Sequence, residues 1–203
     1  MLVLNFCDQN FIKLPFHFDE SLGDGADGQV FSLRDPKDRV VKLSILLDYP
    51  ERNLHKDYED IMKTVLYLKN NNPISYAKIY DFQYLGEYKR NHQSFKDGQK
   101  YILYYYIMEK LNKISDDEKK VFHTILSHED KGLVKKYNIV EIKKILSELS
   151  RALDFDAQKV IFFYESLRAC KIEHRDIHIR NIMKTNDGSF KMIDFDRCSI
   201  RDV

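Results

Sequence analysis

Cysteine is scarce. Cys7, Cys170 and Cys198 are the three in 203 residues, far apart and with no C-x-x-C pair. An odd, scattered set builds neither a disulfide framework nor a cysteine zinc site, and it suits a reducing cytoplasm. Net charge is scarce too. The 33 basic and 32 acidic residues leave +1, which gives no global field for nucleic acid or an anionic membrane. The local pairs Lys135-Lys136 and Lys143-Lys144 read as solvated helix faces. Long apolar runs are missing. The opening MLVLNFCDQN lacks the basic segment and apolar core of a secretory signal. The densest apolar run, YILYYYIM from Tyr101 to Met108, falls well short of the ~20 residues a membrane helix needs and reads as a buried strand. Internal repeats and low-complexity tracts are absent.

What the chain does have is a hydrophobic share of 43%, with 13 Tyr and 13 Phe, enough for a packed core. Its length suits one domain or two small lobes. Residues 11–47 look β-rich: QVFSLRD and RVVKLSILL read as two strands joined by a turn at Asp35-Pro36. Pro50 and Glu51 open a helical pattern in which Leu54, Tyr58, Ile61, Val65 and Leu68 share one face, stopped by NNNP at 70–73. ISYAKIYDFQYL and QKYILYYYIMEKL read as two more strands, with GEYKRNHQSFKDGQ as a long polar loop carrying Gly86 and Gly98. Beyond Leu111, one helix is marked by Ile142, Ile145, Leu146 and Leu149. Another is marked by Val160, Ile161, Tyr164, Leu167 and Ala169. A short apolar strand in SFKMIDFDRCSI follows. The order is α+β, with a seam near Glu109–Asn112.

Four motifs carry chemistry. Gly23, Gly25 and Gly28 in LGDGADGQVF have G-x-G-x-x-G spacing, and a strand rather than a helix follows. Glycines let backbone N–H groups approach phosphate oxygens, and this context favours a β-hairpin lid over a dinucleotide turn. Lys42 in RVVKLS lies on the next strand, where an ammonium can reach α- and β-phosphates. Such a lysine needs a carboxylate to hold it. Glu59 on the following helix is the choice, with Glu51 and Asp57 as competitors. In IEHRDIHIRNIM, Asp176 is placed to accept the proton of an attacking hydroxyl. Asn181, and Asp194 in MIDFD, offer hard oxygens to Mg²⁺. Each motif alone has an ordinary reading as a turn, a surface residue or a loop. Their serial order does not.

Taken together, residues from about 20 to 196 resemble the eukaryotic-type protein kinase family. The resemblance implies a two-lobe fold. Residues 1–111 would form an antiparallel β-sheet N-lobe with one helix, followed by a hinge. Residues 112–203 would form a truncated helical C-lobe. It implies ATP and Mg²⁺, with Gly23, Gly25, Gly28, Val30 and Val40 around the nucleotide. Met108 would be the gatekeeper, and Glu109 and Leu111 would give backbone hydrogen bonds to adenine. Lys42 would bind phosphates and pair with Glu59, Asp176 would be the catalytic base, and Asn181 and Asp194 would bind metal. The reaction implied is γ-phosphoryl transfer to a hydroxyl, with a protein Ser, Thr or Tyr favoured.

Three departures shape that expectation. Asp194-Phe195-Asp196 stands where DFG is usual, which restricts a flip at the glycine. His178 stands where protein Ser/Thr kinases carry lysine. D-x-H-x-x-N and IDFDR are similar to kinases of small molecules, sugars or lipopolysaccharide cores. The chain ends seven residues after Asp196, with no activation segment or substrate-platform helices, so Arg175 has no phosphorylated loop to hold. The insert at 112–140, or a partner chain, would then present the acceptor, and a homodimer or partner chain would complete the short C-lobe. A nucleotide-binding module without turnover is the other class in play.

Overall fold

A computed structural model describes residues 3–5, 11–25, 28–50, 53–89, 99–130 and 138–201. They fall into two compact units. The first comprises Met1–Asn70 and Lys78–Lys110, the second Asn71–Ala77 and Leu111–Val203. Among the described residues the fold is α+β, with four α-helices and sheets whose strand pairs are all antiparallel. No helix among them is long and apolar enough to cross a membrane.

In the first unit, β1 (Val3–Asn5) pairs only with β2 (Phe11–Lys13). The main sheet is built from β3 (Phe18–Gly25), β4 (Gly28–Leu33), β5 (Arg39–Leu47), β6 (Ile79–Lys89) and β7 (Lys100–Glu109), in the order β3-β4-β5-β7-β6. Helix α1 (Leu54–Asn71) lies between β5 and β6 in sequence. The β-branched and aromatic content of RVVKLSILL and YILYYYIM explains why β5 and β7 are the central strands. Period-2 alternation sorts their side chains. Val41, Leu43, Leu103, Tyr105 and Ile107 join Phe31 and Leu33 in a core on one face. The other face carries Val40, Lys42, Ser44, Tyr104, Tyr106 and Met108, all buried. Tyr58 of α1 meets Phe82, Tyr84 and Tyr104 at ring-centroid distances of 6.1, 5.3 and 5.8 Å, which seats the helix on that second face.

The face read for α1 is the buried one: Leu54, Ile61, Val65 and Leu68 are in the core. The helix begins later than Pro50-Glu51 suggested. Asn53 Oδ1 accepts from the Lys56 N–H at 3.1 Å and satisfies one of the donors a helix start leaves over. Glu51 and Gly98 lie outside the described residues. The long loop expected at 86–99 is shorter at its start. Gly86–Lys89 continues β6, where Tyr88 pairs with Tyr101 and their rings stack at 5.5 Å.

In the second unit, β8 (Asn112–Lys113) is followed by α2 (Asp116–Asp130), α3 (Ile139–Leu149) and α4 (Ala157–Ala169). Four short strands close it: β9 (Ile172–His174), β10 (Ile182–Lys184), β11 (Phe190–Met192) and β12 (Cys198–Ile200). Much of the 112–140 stretch, in which the sequence marks no element, is helix α2, and one face of it belongs to the core. Its Val121, Phe122 and Ile125 are fully buried. Phe122 packs edge-on against Phe163 at 5.7 Å and Phe190 at 4.9 Å. A capping box starts the helix: Glu118 N–H donates to Ser115 Oγ (3.2 Å), and Ser115 N–H donates to Glu118 Oε2 (2.6 Å). Lys184 Nζ then reaches the same carboxylate at 3.0 Å. Lys143 and Lys144 are exposed, as a solvated face requires; Lys135 and Lys136 lie outside the described residues.

The segment 74–78 is a further correction. Its apolar sequence predicts the start of a strand, but β6 begins only at Ile79. Instead Ser75 and Ala77 bracket β11: Met192 N–H donates to Ser75 O (2.8 Å) and Ala77 N–H to Met192 O (2.9 Å). Tyr76, 1% exposed, fills the space beside His174 and Phe195.

Candidate functional site

The sheet register of the first unit groups several expected residues. Val30 pairs with Lys42, Lys42 with Tyr106, and Val40 with Met108. Directly paired residues share a face, so Val30, Val40, Lys42 and Met108 all lie on one side of the sheet. Lys42 is only 6% exposed, unlike an ordinary strand lysine pointing to water. Its Nζ lies 6.0 Å from the centre of the Tyr106 ring.

The glycines divide by cause. A Cβ added at Gly28 would lie 2.1 Å from Leu43 O, and its φ is +154°. The approach of β4 to β5 therefore demands glycine there. A Cβ at Gly23 would meet nothing within 4 Å. No packing contact among the described residues requires that glycine. Gly25 ends β3 opposite Gly28.

Glu59 is exposed on α1 and has no ion-pair partner among the described residues, so the expected pair with Lys42 is not formed. Its neighbour on the same stripe, Leu66, is 43% exposed, so that side of the helix faces outward. Asp57, the other described competitor, is half-buried in the first turn of α1. Glu109 is tied to Lys78 twice. Its N–H donates to Lys78 O (3.0 Å), and its Oε1 accepts from Lys78 N–H (2.6 Å). Its amide hydrogen is therefore not available to an adenine. Leu111 is half-buried and belongs to the second unit.

The second unit brings two loops together. Strand β9 pairs with β12 and β10 pairs with β11, so the residues between β9 and β10 and those between β11 and β12 emerge side by side. Backbone bonds join them: Ile193 N–H donates to Asn181 O (2.9 Å), and Arg175 N–H donates to Arg197 O (3.2 Å). His174 is the brace. It is fully buried, its Nδ1 accepts from the Asp176 N–H at 3.3 Å, and its Nε2 therefore carries the hydrogen that reaches Ile193 O at 3.0 Å. Burial holds its pKa below the usual imidazole value, against the opposing pull of its bond to Ile193 O and the charges of Asp194 and Asp176.

Asp176 is half-buried at the centre. The buried Asn181 donates from Nδ2 to Asp176 O at 2.9 Å and lies 3.4 Å from Asp176 Oδ2. His178 caps a 3-10 turn at Ile179–Asn181: its Nδ1 accepts from the Arg180 N–H at 3.1 Å, which leaves Nε2 as the donor, 3.5 Å from Asp176 Oδ2. Arg197 Nη1 is 4.0 Å from Asp176 Oδ1. Asp194 has φ +67°, in the left-handed region that aspartate tolerates better than most residues. Such backbone outliers concentrate where function fixes a side chain. Phe195 is fully buried against Tyr76, which anchors the loop between the two aspartates.

The donors suit magnesium. Asn181 Nδ2 is committed to Asp176, so Oδ1 is the atom left for a ligand, and Asp194 adds a carboxylate. Among the described residues no three His, Cys, Asp or Glu side chains form a metal cluster.

The structure thus brings Val30, Val40, Lys42 and Met108 onto one face, and Asp176, Asn181 and the 194–196 loop together. It does not bring Glu59 to Lys42. Sequence reading passed over His174 and Arg197. Each sits within three residues of a motif aspartate, but only strand pairing shows that they tie the two loops. Compared with known proteins, the chain matches no family model and no curated sequence.

Proposed function

We propose that the protein is an ATP-dependent kinase that transfers the γ-phosphoryl group to a hydroxyl, with a protein side chain as the leading acceptor. One observation carries this reading: the paired strands β9–β12 hold Asp176, Asn181 and Asp194 in two adjoining loops braced by the buried His174. That set supplies a base, an amide oxygen and a carboxylate, which phosphoryl transfer requires. The first unit supports the same reading. A hairpin opened by Gly23, Gly25 and Gly28 precedes a strand with a buried lysine, and a helix and two more strands follow. This is the order of parts in a kinase nucleotide lobe.

In this reading Lys42 binds the α- and β-phosphates, and Val30, Val40 and Met108 form the apolar wall for the base. Asn181 Oδ1 and Asp194 would hold Mg²⁺. When bound, the ion screens phosphate charge and orients the γ-phosphoryl group. Asp176 orients the acceptor hydroxyl and receives its proton, while His174 fixes the Asp176 backbone. Positioning and charge neutralisation supply most of the acceleration in such reactions. His178 and Asp196, at positions where protein kinases differ, favour a sugar or other small-molecule hydroxyl as the second reading.

The test is label transfer from [γ-³²P]ATP with Mg²⁺. Transfer by the wild type that falls by about 10²–10⁴-fold in Asp176→Ala supports an enzyme. Thermal stabilisation by ATP without transfer to any acceptor, the protein itself included, would instead identify a nucleotide-binding module.

A further inference from the structure

Both oxygens of the Asp176 carboxylate face donors, but the two sides differ. On the Oδ2 side the donors are fixed. Asn181 is buried and bonded to Asp176 O (2.9 Å), and the His178 ring is locked by the Arg180 N–H (3.1 Å). On the Oδ1 side stands the Arg197 guanidinium, 4.0 Å away on a side chain that is 56% exposed. A base must offer an oxygen at hydrogen-bond distance to the hydroxyl it deprotonates. Oδ2 faces the fixed donors, whereas Oδ1 has no donor at hydrogen-bond distance, and an acceptor hydroxyl that bonds there brings its neighbouring groups beside Arg197.

We propose, on the kinase reading above, that the acceptor carries an anionic group, a carboxylate or phosphate, beside its reacting hydroxyl, and that Arg197 reads it. Guanidinium binds either anion through two parallel N–H bonds, a closer engagement than its 4.0 Å approach to Asp176. Arg197 turns toward that group while the acceptor hydroxyl lies against Oδ1. The acceptor proton then passes to Oδ1, the acceptor oxygen bonds to the γ-phosphorus, and the bond from that phosphorus to the β–γ bridging oxygen breaks. Its electron pair leaves with ADP. A neutral acceptor leaves Arg197 in place and reacts slowly.

The surrounding charges fit. Arg175 is engaged by Glu173 at 3.7 Å. Arg180 is exposed on the catalytic loop and has no acidic partner among the described residues, so it adds a second cation for the same anion. Asp194 is assigned to metal.

The experiment compares matched acceptors in the full chain with [γ-³²P]ATP and Mg²⁺. One arm uses serine peptides flanked by aspartate, alanine or lysine; the other uses a hexose and its phosphate. The expected result is a preference of about tenfold or more in kcat/KM for the anionic member, the size of one charge-assisted hydrogen bond. The arm that shows it names the source. Added salt lowers the preference. Arg197→Gln brings the ratio near one, Arg197→Lys keeps part of it, and Arg180→Gln lowers it. Melting curves check folding; the Arg197 backbone carbonyl that bonds Arg175 is untouched by these changes. Transfer with no anionic preference, or a preference that survives Arg197→Gln, overturns this inference and leaves the kinase reading standing. Absence of transfer to every acceptor overturns both.

Discussion

Gly28 offers a direct test of why the glycine-rich segment is glycine-rich. In Gly28→Ala the new Cβ would lie 2.1 Å from Leu43 O and 2.9 Å from Ser44 Cα, where ordinary contact begins near 3.4 Å. The obstacle is backbone, so no side chain can swing aside. The β4–β5 ladder must open by more than 1 Å at Gly28–Ser44 and Gln29–Leu43, the pairs at the end of the hairpin. Weakening one or two ladder bonds costs about 1–2 kcal/mol, and holding alanine at φ +154° adds roughly another 1–2. The sum, about 3 kcal/mol, corresponds to roughly 6–12 °C for a chain of this size. Gly23→Ala is the control. Open space surrounds that position, so its melting temperature should stay within about 2 °C of wild type, while ATP binding weakens if phosphates approach the backbone there. Circular dichroism melts and ATP titration measure both. A Gly28→Ala protein that melts with the wild type would refute the claim that strand approach fixes this glycine. A Gly23→Ala protein with unchanged ATP affinity would remove that residue from the phosphate lid.

Lys42→Met should lower phosphotransfer by about 10²–10³-fold in a protein that still unfolds in one cooperative transition, since methionine fills a buried slot of similar length; surviving activity would show that the lysine does not hold phosphate. Glu118→Ala should cost about 3 kcal/mol in urea unfolding, since it removes half of the capping box and strands Lys184. Burial raises the Glu118 pKa, but hydrogen bonds from Ser115 and Lys184 outweigh it and leave the value below the usual one. Its contribution is therefore present above the ordinary glutamate range and lost as pH falls through it; stability unchanged down to pH 3 would refute this. His174, held neutral by burial, works in the same direction at higher pH. The unfolded chain binds the proton more readily, so stability should fall as pH drops below the ordinary histidine value near 6.5. His174→Phe should flatten that slope whatever it does to the midpoint.

Elements whose pattern is local were legible in the sequence. Helix α1 announced itself through Leu54, Ile61, Val65 and Leu68, and the central strands through runs of branched and aromatic residues. Helix α2 carries signals of its own, the capping-box spacing of Ser115 and Glu118 and the core spacing of Val121, Phe122 and Ile125, yet the expected order of elements has none there. The 74–78 segment was misread because its apolar residues look like a strand, while their partner, Met192, is more than a hundred residues away. Of the candidate site, the motif residues could be named from spacing alone. That Gly28 answers to strand packing, that Glu59 stands in solvent and that Arg197 faces Asp176 all depend on which strands pair, which spacing does not encode.

The assignment of Asn71–Ala77 to the second unit, between two stretches of the first, bears on how the protein is made and cut. The chain passes from one unit to the other three times, so neither is a contiguous piece. On a ribosome, the strip carrying Tyr76 emerges first and waits for Met192, which is made more than a hundred residues later. A fragment starting at Leu111 would lack the ring that fills the space between His174 and Phe195, leaving a hole beneath the two loops. Supplying 71–77 as a separate peptide should restore such a fragment, making this seven-residue strip the natural handle for complementation.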